Sequence, residues 1–324
     1  QRGERATIVG ATSGDTGSAA IEAFRGRENT DIFIIHPRGR TSEIQRRQMT
    51  TVLDDNVFNI ALEGTFDDCQ AVVKAMFNDF AFRDGAKLSG VNSINWGRIA
   101  AQVVYYFTSA VALGAPHRKI TFVVPTGNFG DIFAGYVAKR MGLPVEKLVI
   151  ATNSNDILRR AVKFGRYDKR GVAQTVSPSM DIEVSSNFER LLFEALDRDG
   201  EKTAGLFASL AQSGGFTIPE PALDTIREEF GSGMADETAT KTIISDVLAH
   251  SHYLIDPHTA VGVAVARGFN FGHTPLVTLS TAHPAKFPET VEAATGRHPE
   301  LPAHMADLGT RESGSRFWQM TRPS

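Results

Sequence analysis

The chain has 324 residues, of which 42% are hydrophobic and 22% charged, and its formal net charge is −3. This composition is typical of a soluble globular protein with a substantial core, and the length favours two domains. The slightly acidic balance argues against nucleic acid or an anionic membrane as the main partner. No apolar run approaches the roughly 18 residues of a membrane-spanning helix. The single cysteine, Cys69, excludes an internal disulfide and predicts a reducing, cytoplasmic compartment.

A glycine-containing turn follows the first predicted strand. The apolar residues 6–10 lead into Gly10, Gly14 and Gly17, and a helix is predicted over about residues 17–28. A strand, turn and helix in this order direct backbone N–H groups and the positive end of a helix dipole at one point, which suits an anion. The spacing fits neither the dinucleotide fingerprint nor a nucleotide phosphate loop. Ordinary helix capping by Ser, Thr and Asp explains the same pattern.

Strands and helices alternate through the first hundred residues. The patterns predict strands at residues 31–35 and 56–62 and helices at residues 42–51 and 65–78. Short connections between such elements indicate a parallel sheet covered by helices. A polar turn at residues 88–98 then leads into a long apolar helix, residues 99–113.

A second turn of the same kind follows the buried strand predicted at residues 120–125. Gly127 and Gly130 flank polar and aromatic residues ahead of a helix predicted at residues 132–141. Glycines permit close approach of a ligand to the backbone, and the free N–H groups of the helix start face it. Two such turns at strand ends favour a phosphate site over simple capping.

The remaining elements are less regular. A strand is predicted at residues 147–151, an irregular polar stretch at 171–181 and successive helices over 187–250. A last strand, residues 275–281, ends at Thr281, and ligands of parallel sheets sit at the carboxyl ends of strands. Beyond about residue 299 the chain loses periodicity.

Two residues with reactive side chains are predicted to be structural. His258 stands beside a helix start, where a hydrogen-bonded structural histidine is more common than a catalyst. Cys69 lies in a predicted helix and is expected to be a packed thiol rather than a nucleophile. No metal-ligand spacing and no internal repeat occur in the sequence.

Seven stretches, taken together and in order, resemble the threonine synthase family of fold-type II pyridoxal-phosphate enzymes. They are residues 10–20, 89–99, 124–136, 177–182, 185–194, 255–262 and 280–287. The resemblance covers nearly all of the chain to about residue 300, whereas residues 312–324 depart from it. It implies an α/β, two-domain, tryptophan synthase β-like architecture with parallel-rich sheets flanked by helices. We expect a smaller domain at residues 1–112 and a larger, cofactor-binding domain at residues 113–324.

The resemblance also implies a reaction and a cofactor. Enzymes of this family are lyases of threonine biosynthesis that convert O-phospho-L-homoserine and water to L-threonine and phosphate with pyridoxal 5'-phosphate. By resemblance, the cofactor phosphate would be held by Gly127, Asn128, Phe129, Gly130 and Asp131. Thr281 would face the pyridine nitrogen, and Asp15 would lie near the 3-oxygen of the ring.

The substrate carries a carboxylate and a second phosphate, so separate donor sets are needed. By resemblance, Thr12, Ser13, Gly14 and Thr16 would bind the carboxylate. Asn92 and Arg98 are the candidates for the substrate phosphate, since arginine supplies a bidentate donor. The expected partners are this small molecule and, at most, a second copy of the chain; the resemblance leaves monomer and homodimer open.

The family's Schiff-base lysine is absent from the sequence. In the family it precedes the first glycine turn in an F-K-D type of motif, which does not occur here, and Lys286 belongs to a different motif. We therefore expect a fragment lacking an N-terminal part of the protein, inactive alone, or a relative that has lost catalysis.

Two other functions stay open at this level. One is another fold-type II enzyme, such as a dehydratase of serine or threonine, which does not need Asn92 and Arg98 as a phosphate clamp. The other is a non-catalytic paralogue that binds the cofactor or an amino-acid phosphate.

Overall fold

A computed structural model describes residues 4–12, 14–314 and 316–318. The strands are β1 (Ala6–Ala11), β2 (Thr30–Pro37), β3 (Val57–Leu62), β4 (Leu88–Gly90), β5 (Ile120–Pro125), β6 (Val145–Thr152), β7 (Arg166–Asp168), β8 (Gly215–Thr217), β9 (Phe230–Met234), β10 (Leu276–Thr278) and β11 (Arg316–Trp318). The helices are α1 (Asp15–Phe24), α2 (Glu43–Thr50), α3 (Phe66–Asn78), α4 (Phe80–Gly85), α5 (Trp96–Ala112), α6 (Gly130–Arg140), α7 (Ile157–Phe164), α8 (Phe188–Ala195), α9 (Gly200–Ser213), α10 (Glu220–Glu229), α11 (Glu237–Ser251), α12 (Pro257–Ala266) and α13 (Pro288–Thr295).

The chain divides into two compact units, one formed by Gln1–Asn92 with Glu300–Ser324 and the other by Ser93–Pro299. This division differs from the expected boundary after residue 112 in two places. Helix α5 belongs to the second unit because it buries Ile99 and Tyr106 in that unit's core. The C-terminal segment belongs to the first unit, where the Arg47 side chain of α2 donates to the carbonyls of Leu308 and Arg311.

The first unit is a parallel sheet with helices on both faces. Its strand order is β11-β3-β2-β1-β4, and each neighbouring pair is parallel. On one face Ile21 of α1 and Met49 of α2 pack on the sheet. On the other face Cys69 of α3 packs with Val9 and Leu62. The predicted parallel sheet is confirmed, and the short strand β4 adds to it within the segment expected to be a turn.

The second unit contains a parallel sheet of order β10-β5-β6-β9 and an antiparallel pair, β7 and β8. Strand β5 is buried along its whole length, which explains its unbroken apolar run. One face of the sheet packs on α6 and α5, and the other packs on α12 through Val261 and Val265. Strand β9 interrupts the region predicted as successive helices.

Details of the elements agree with local sequence signals to different degrees. The helix predicted from residue 65 has Thr65 as its N-cap, in a capping box with Asp68. The last predicted strand is shorter than expected, since β10 ends at Thr278 and Thr281 lies in the loop beyond it. In the described part of the chain, no helix combines the length and apolarity needed to cross a membrane.

Candidate active site

The first glycine turn, between β1 and α1, is shaped by the Thr12 side chain. Thr12 is buried, and its Oγ1 accepts the backbone N–H of Gly14 at 3.0 Å and that of Gly17 at 2.9 Å. Gly14 has a φ of 150°, in the region that favours glycine. The Thr12 hydroxyl oxygen therefore holds the turn together, and its contact with a substrate stays a prediction. Predicted Ser13 lies outside the described residues.

Asp15 and Thr16 begin helix α1, and Asp15 faces a neighbouring helix. Gln45 of α2 donates from Nε2 to Asp15 Oδ1 at 3.1 Å, and a Cβ at Gly14 would lie 2.6 Å from Gln45 Cδ. The buried amide of Gln45 therefore lies directly against the turn. The sequence analysis assigned no role to Gln45.

Asn92 lies at the same edge of the first unit's sheet as this turn. Strand β4 pairs with β1, and the N–H of Val91 donates to the carbonyl of Val9 at 3.0 Å. A Cβ at Gly10 would lie 2.9 Å from the Val91 carbonyl oxygen, so a glycine lets the two strand ends approach. The structure thus brings Thr12, Gly14, Thr16 and Asn92 to one carboxyl edge.

The second glycine turn connects β5 with α6 in the second unit. Phe129 is buried and adopts a left-handed conformation, with φ 63° and ψ 4°, immediately before the first residue of α6. A Cβ at Gly127 would lie 2.6 Å from the carbonyl oxygen of Ser179, so this position requires glycine. At Gly130 the nearest atoms would be 3.5 Å away, and the space there is open to ordinary contact.

Two buried side chains hold this turn from beneath. Ser185 donates from Oγ to the Gly127 carbonyl at 2.7 Å. Asn187, which is fully buried, donates from Nδ2 to the carbonyls of Asn128 and Ser93, both at 2.9 Å. These carbonyls are thus occupied by protein donors, whereas the first N–H groups of a helix have no partner within the helix. We call residues 127–131 the anion cradle, and its binding of a phosphate stays a prediction.

The Asp131 carboxylate is turned toward helix α5 rather than toward the cradle. The hydroxyl of Tyr106 lies 3.2 Å from Asp131 Oδ1 and 2.8 Å from its backbone oxygen. Burial raises the pKa of Asp131 to about 6, and hydrogen bonding from Tyr106 partly offsets this effect. The Asp131 carboxyl group therefore carries less charge near pH 6 than an ordinary aspartate does, and its contact with a cofactor phosphate stays a prediction.

Thr281 lies at the same sheet edge as the cradle. Thr278 of β10 pairs with Val123 of β5, and the Leu279 N–H donates to the Val123 carbonyl at 3.0 Å. Thr281 follows two residues later and is exposed. The second unit therefore brings the cradle and Thr281 together, as parallel strands with ends at one edge require.

Arg98 lies in the first turn of α5, and helix α5 begins after the N-cap Asn95. Arg98 is therefore part of the second unit, whereas Asn92 belongs to the first. Their shared contact with a substrate phosphate stays a prediction.

The polar stretch at residues 171–181 is tied to the carboxyl end of β6. Asp181 Oδ1 accepts from Nδ2 of Asn153 at 2.8 Å, from Nδ2 of Asn155 at 2.9 Å and from the hydroxyl of Thr175 at 2.7 Å. The N–H of Ala173 donates to Asn155 Oδ1 at 2.8 Å. This stretch is thus a braced loop that carries Ser179 against Gly127.

His258 is structural, as predicted. Its Nε2 accepts the N–H of Ser179 at 3.1 Å, and its Nδ1 lies 2.9 Å from Oδ1 of the buried Asp256. Because Nε2 is an acceptor, Nδ1 carries the proton and donates to Asp256. Both ring nitrogens are therefore occupied.

Sequence reasoning missed the residues that hold the cradle. Ser185 and Asn187 stand in one of the seven matching stretches, and Asp181 and Asp256 in two others, but none received a role. Their presence as polar side chains within the matching stretches was the available signal.

Comparisons with known proteins identify the family of the chain. The family model described as "Pyridoxal-phosphate dependent enzyme" matches residues 1–207, and the one described as "Threonine synthase, C-terminal" matches residues 259–322. Threonine synthase of Pseudomonas aeruginosa is 56% identical over 314 residues, which cover 96% of this chain and 67% of that protein. Threonine synthase of Corynebacterium glutamicum is 45% identical and covers 95% of this chain and 66% of that protein.

Solved structures show the same relationship. The structure titled PLP-bound threonine synthase from Brucella melitensis superposes with a TM-score of 0.95 at 61% identity, covering 98% of this chain and 69% of that one. Yeast threonine synthase gives a TM-score of 0.90 at 43% identity, with 98% and 68% covered. The chain spans about two thirds of the length of these relatives. With this agreement of sequence and fold, the chain belongs to the threonine synthase family of pyridoxal-phosphate dependent enzymes.

Proposed function

We propose that this chain carries the cofactor-binding and substrate-binding parts of an enzyme that converts O-phospho-L-homoserine and water to L-threonine and phosphate. The observation that carries the proposal is the glycine turn at the start of α6, whose Gly127 and Asn128 carbonyls accept hydrogen bonds from Ser185 and Asn187. In a chain of this family, such a cradle suits the phosphate of pyridoxal phosphate.

The donor set of the second unit fits this cofactor. The N–H groups of the turn and helix start, Gly127 to Asp131, would hold the phosphate, with the Asn128 amide beside them. Ser186 donates to Asn128 Oδ1 at 3.2 Å, which leaves Asn128 Nδ2 as the donor. Thr281 would offer a neutral hydroxyl to the pyridine nitrogen. When bound, the cofactor supplies electron withdrawal that weakens bonds next to the substrate amino group.

The remaining candidates would bind and orient the substrate. Thr12, Gly14 and Thr16 would hold its carboxylate through the turn and the start of α1, with Asp15 held by Gln45. Asn92 and Arg98 would bind the substrate phosphate, where the planar guanidinium offers paired donors.

We also propose that this chain alone is inactive, since none of its lysines stands in an F-K-D type of motif. The protein would work in the cytoplasm as a monomer or homodimer, with the small substrate as its main partner.

The test uses the full gene product, of which we propose that this chain is a part. The purified full gene product with pyridoxal phosphate should release phosphate from O-phospho-L-homoserine and form L-threonine. Loss of ammonia from serine or threonine without phosphate release would favour the dehydratase. Binding of pyridoxal phosphate without turnover would favour the non-catalytic paralogue.

Arg98→Lys sharpens the test. Replacement of a bidentate donor by a single ammonium should raise KM about 10- to 100-fold, corresponding to about 1.5–3 kcal/mol for hydrogen bonds to charged groups. The affinity for pyridoxal phosphate should stay unchanged. An unchanged KM would remove Arg98 from the phosphate site.

A further inference from the structure

Asp256 and His258 form a buried polar cluster that the proposed reaction does not use. Asp256 is fully buried, and His258 and Thr259 are 3% and 4% exposed. Asp256 is the N-cap of α12 and accepts from the backbone N–H of His258 at 2.8 Å and of Thr259 at 3.3 Å. A buried carboxylate is costly to desolvate unless hydrogen-bonded, and this one has several donors.

One side of the cluster reaches the anion cradle. His258 donates from Nδ1 to Asp256 and accepts the Ser179 N–H at Nε2, 3.1 Å away. The carbonyl oxygen of the same Ser179 lies close to Gly127, since a Cβ added at Gly127 would be 2.6 Å from it. The imidazole therefore fixes the backbone segment that lies directly against the first residue of the cradle.

The other side of the cluster reaches Thr281. The Thr259 hydroxyl donates to Asp256 Oδ2. It also lies 3.4 Å from Oγ of Ser280, the residue before Thr281. The Thr259 hydroxyl is the donor in both contacts, so its proton is shared between the Asp256 carboxylate and, in the longer contact, Ser280 Oγ. Helix α12 packs close to the same strand, since a Cβ at Gly262 would lie 2.7 Å from Thr278 Cγ2.

We propose that Asp256 and His258 are a positioning pair that braces both ends of the cofactor site. The phosphate end is braced through Ser179, and the ring end is braced through Thr259 and Ser280. Neither residue touches the reacting atoms, because both are buried and their polar atoms are occupied by protein partners. The identity of the bound cofactor rests on the proposed function, whereas the contacts of Asp256 and His258 do not.

The two arms are separable by substitution. His258→Phe keeps a ring of similar size and removes the acceptor for Ser179, whereas His258→Gln keeps an acceptor. Thr259→Val keeps the shape and removes the hydroxyl that faces Ser280. Thr242→Val on the exposed side of α11 is the matched control, since its hydroxyl bonds only within its helix.

Hydrogen exchange of the gene product without cofactor tests the bracing itself. His258→Phe should speed exchange of amides in residues 177–182 about tenfold, which corresponds to one net hydrogen bond. Residues 278–282 should be unaffected, and His258→Gln should restore most of the protection. Thr259→Val should show the reverse pattern. Equal loss of protection in both segments for both variants, or no loss in either, would overturn the proposal.

Ligand affinity tests the consequence. The probes are pyridoxal phosphate and pyridoxal, which lacks the phosphate. His258→Phe should lower the preference for pyridoxal phosphate about tenfold. Thr259→Val should weaken both ligands by the same factor. A preference unchanged by His258→Phe would contradict the phosphate arm. If the unaltered protein binds neither probe, the proposed function fails, and the exchange data still decide whether the pair braces the two segments.

Discussion

The Tyr106 hydroxyl lies 3.2 Å from Oδ1 and 2.8 Å from the backbone oxygen of Asp131, across the contact between α5 and α6. The pKa values of both side chains are raised above their ordinary values. Burial raises the pKa of Tyr106 well above its usual value and that of Asp131 to about 6. The first turn of α6 therefore carries a carboxyl group that is easier to protonate than an ordinary aspartate.

Asp131 should make the folded state less stable as the pH rises, which is the opposite of the effect of a carboxylate in an ion pair. Since its pKa is raised from 3.8 to about 6, the folded state binds the proton more tightly than the unfolded state does. The stabilisation is complete below about pH 4 and is lost as the pH rises through about 6. Asp131→Asn keeps an acceptor for Tyr106 and cannot ionise, so it should gain up to about 3 kcal/mol over the unaltered protein between pH 4 and 7. Urea unfolding at pH 4, 5, 6 and 7 measures this difference. If the difference in unfolding free energy between the two proteins does not change with pH, the raised pKa of Asp131 is contradicted.

The two glycines of the cradle should respond differently to alanine. Gly127→Ala places a Cβ 2.6 Å from the Ser179 carbonyl and should destabilise the protein by about 1–3 kcal/mol through overpacking. Gly130→Ala meets nothing closer than 3.5 Å, and its Cβ would lie on the side of Asn187, so it should leave stability nearly unchanged. Thermal unfolding measures the difference between the two substitutions.

Gly205→Ala is the control for these substitutions. It lies within α9 with nothing within 4 Å of the added Cβ. It should stabilise the protein by about 0.5–1 kcal/mol through helix propensity and leave cofactor affinity unchanged. A loss of stability in Gly130→Ala as large as that in Gly127→Ala would contradict the tight contact at Gly127.

Asn187 should be needed for the shape of the cradle. Asn187→Ala removes the Nδ2 donor to the carbonyls of Asn128 and Ser93, whereas the backbone N–H of residue 187 still donates to Asn128 at 3.1 Å. The expected cost is about 1–3 kcal/mol of stability for the two lost hydrogen bonds. Cofactor affinity should fall as well, because the turn that carries Asn128 loses one of the bonds that hold it. Exposed Asn78→Ala in α3 should change stability by less than about 0.5 kcal/mol. Equal effects of the two substitutions would show that the Asn187 contacts contribute little.

Cys69 should be unreactive in the folded protein. It is fully buried, and burial raises the pKa of its thiol to about 11. Because the thiolate is the reactive form, a thiol reagent at pH 8 should modify Cys69 only at the rate of unfolding. In urea above the unfolding midpoint, the reagent should modify one thiol per chain rapidly. Rapid modification of the native protein would show that the α3 face of the first sheet opens.

The regular elements were largely predictable from the sequence. The buried apolar runs of β5 and β6 and the amphipathic helices between strands are local patterns, and they correctly predicted parallel sheets. The short strands β4 and β9 were missed because three to five residues, with glycines among them, carry too weak a pattern. Their pairing depends on the longer strands β1 and β6 beside them.

The two glycine turns were predictable from the sequence, but the contacts that hold them were not. The order of the seven stretches indicated the family, and the two glycine turns indicated where anions would bind, because a strand end followed by a helix start directs N–H groups by local geometry alone. Thr12 and Asp131 were expected as ligand-binding residues, but their side chains contact other parts of the protein. Thr12 holds its own turn, and Asp131 turns toward Tyr106, 25 positions earlier in the chain.

The sequence by itself determined the alternation of strands and helices, the two turns and the family, since each depends on residues close together in the chain. Only the tertiary structure decided that Asn187 holds Asn128 and that His258 holds Ser179, 79 positions away. It also decided that the C-terminal segment packs on α2 through Arg47. These partners are chosen by which buried donors and acceptors come within hydrogen-bonding distance when the sheets and helices pack, and no local pattern carries that information.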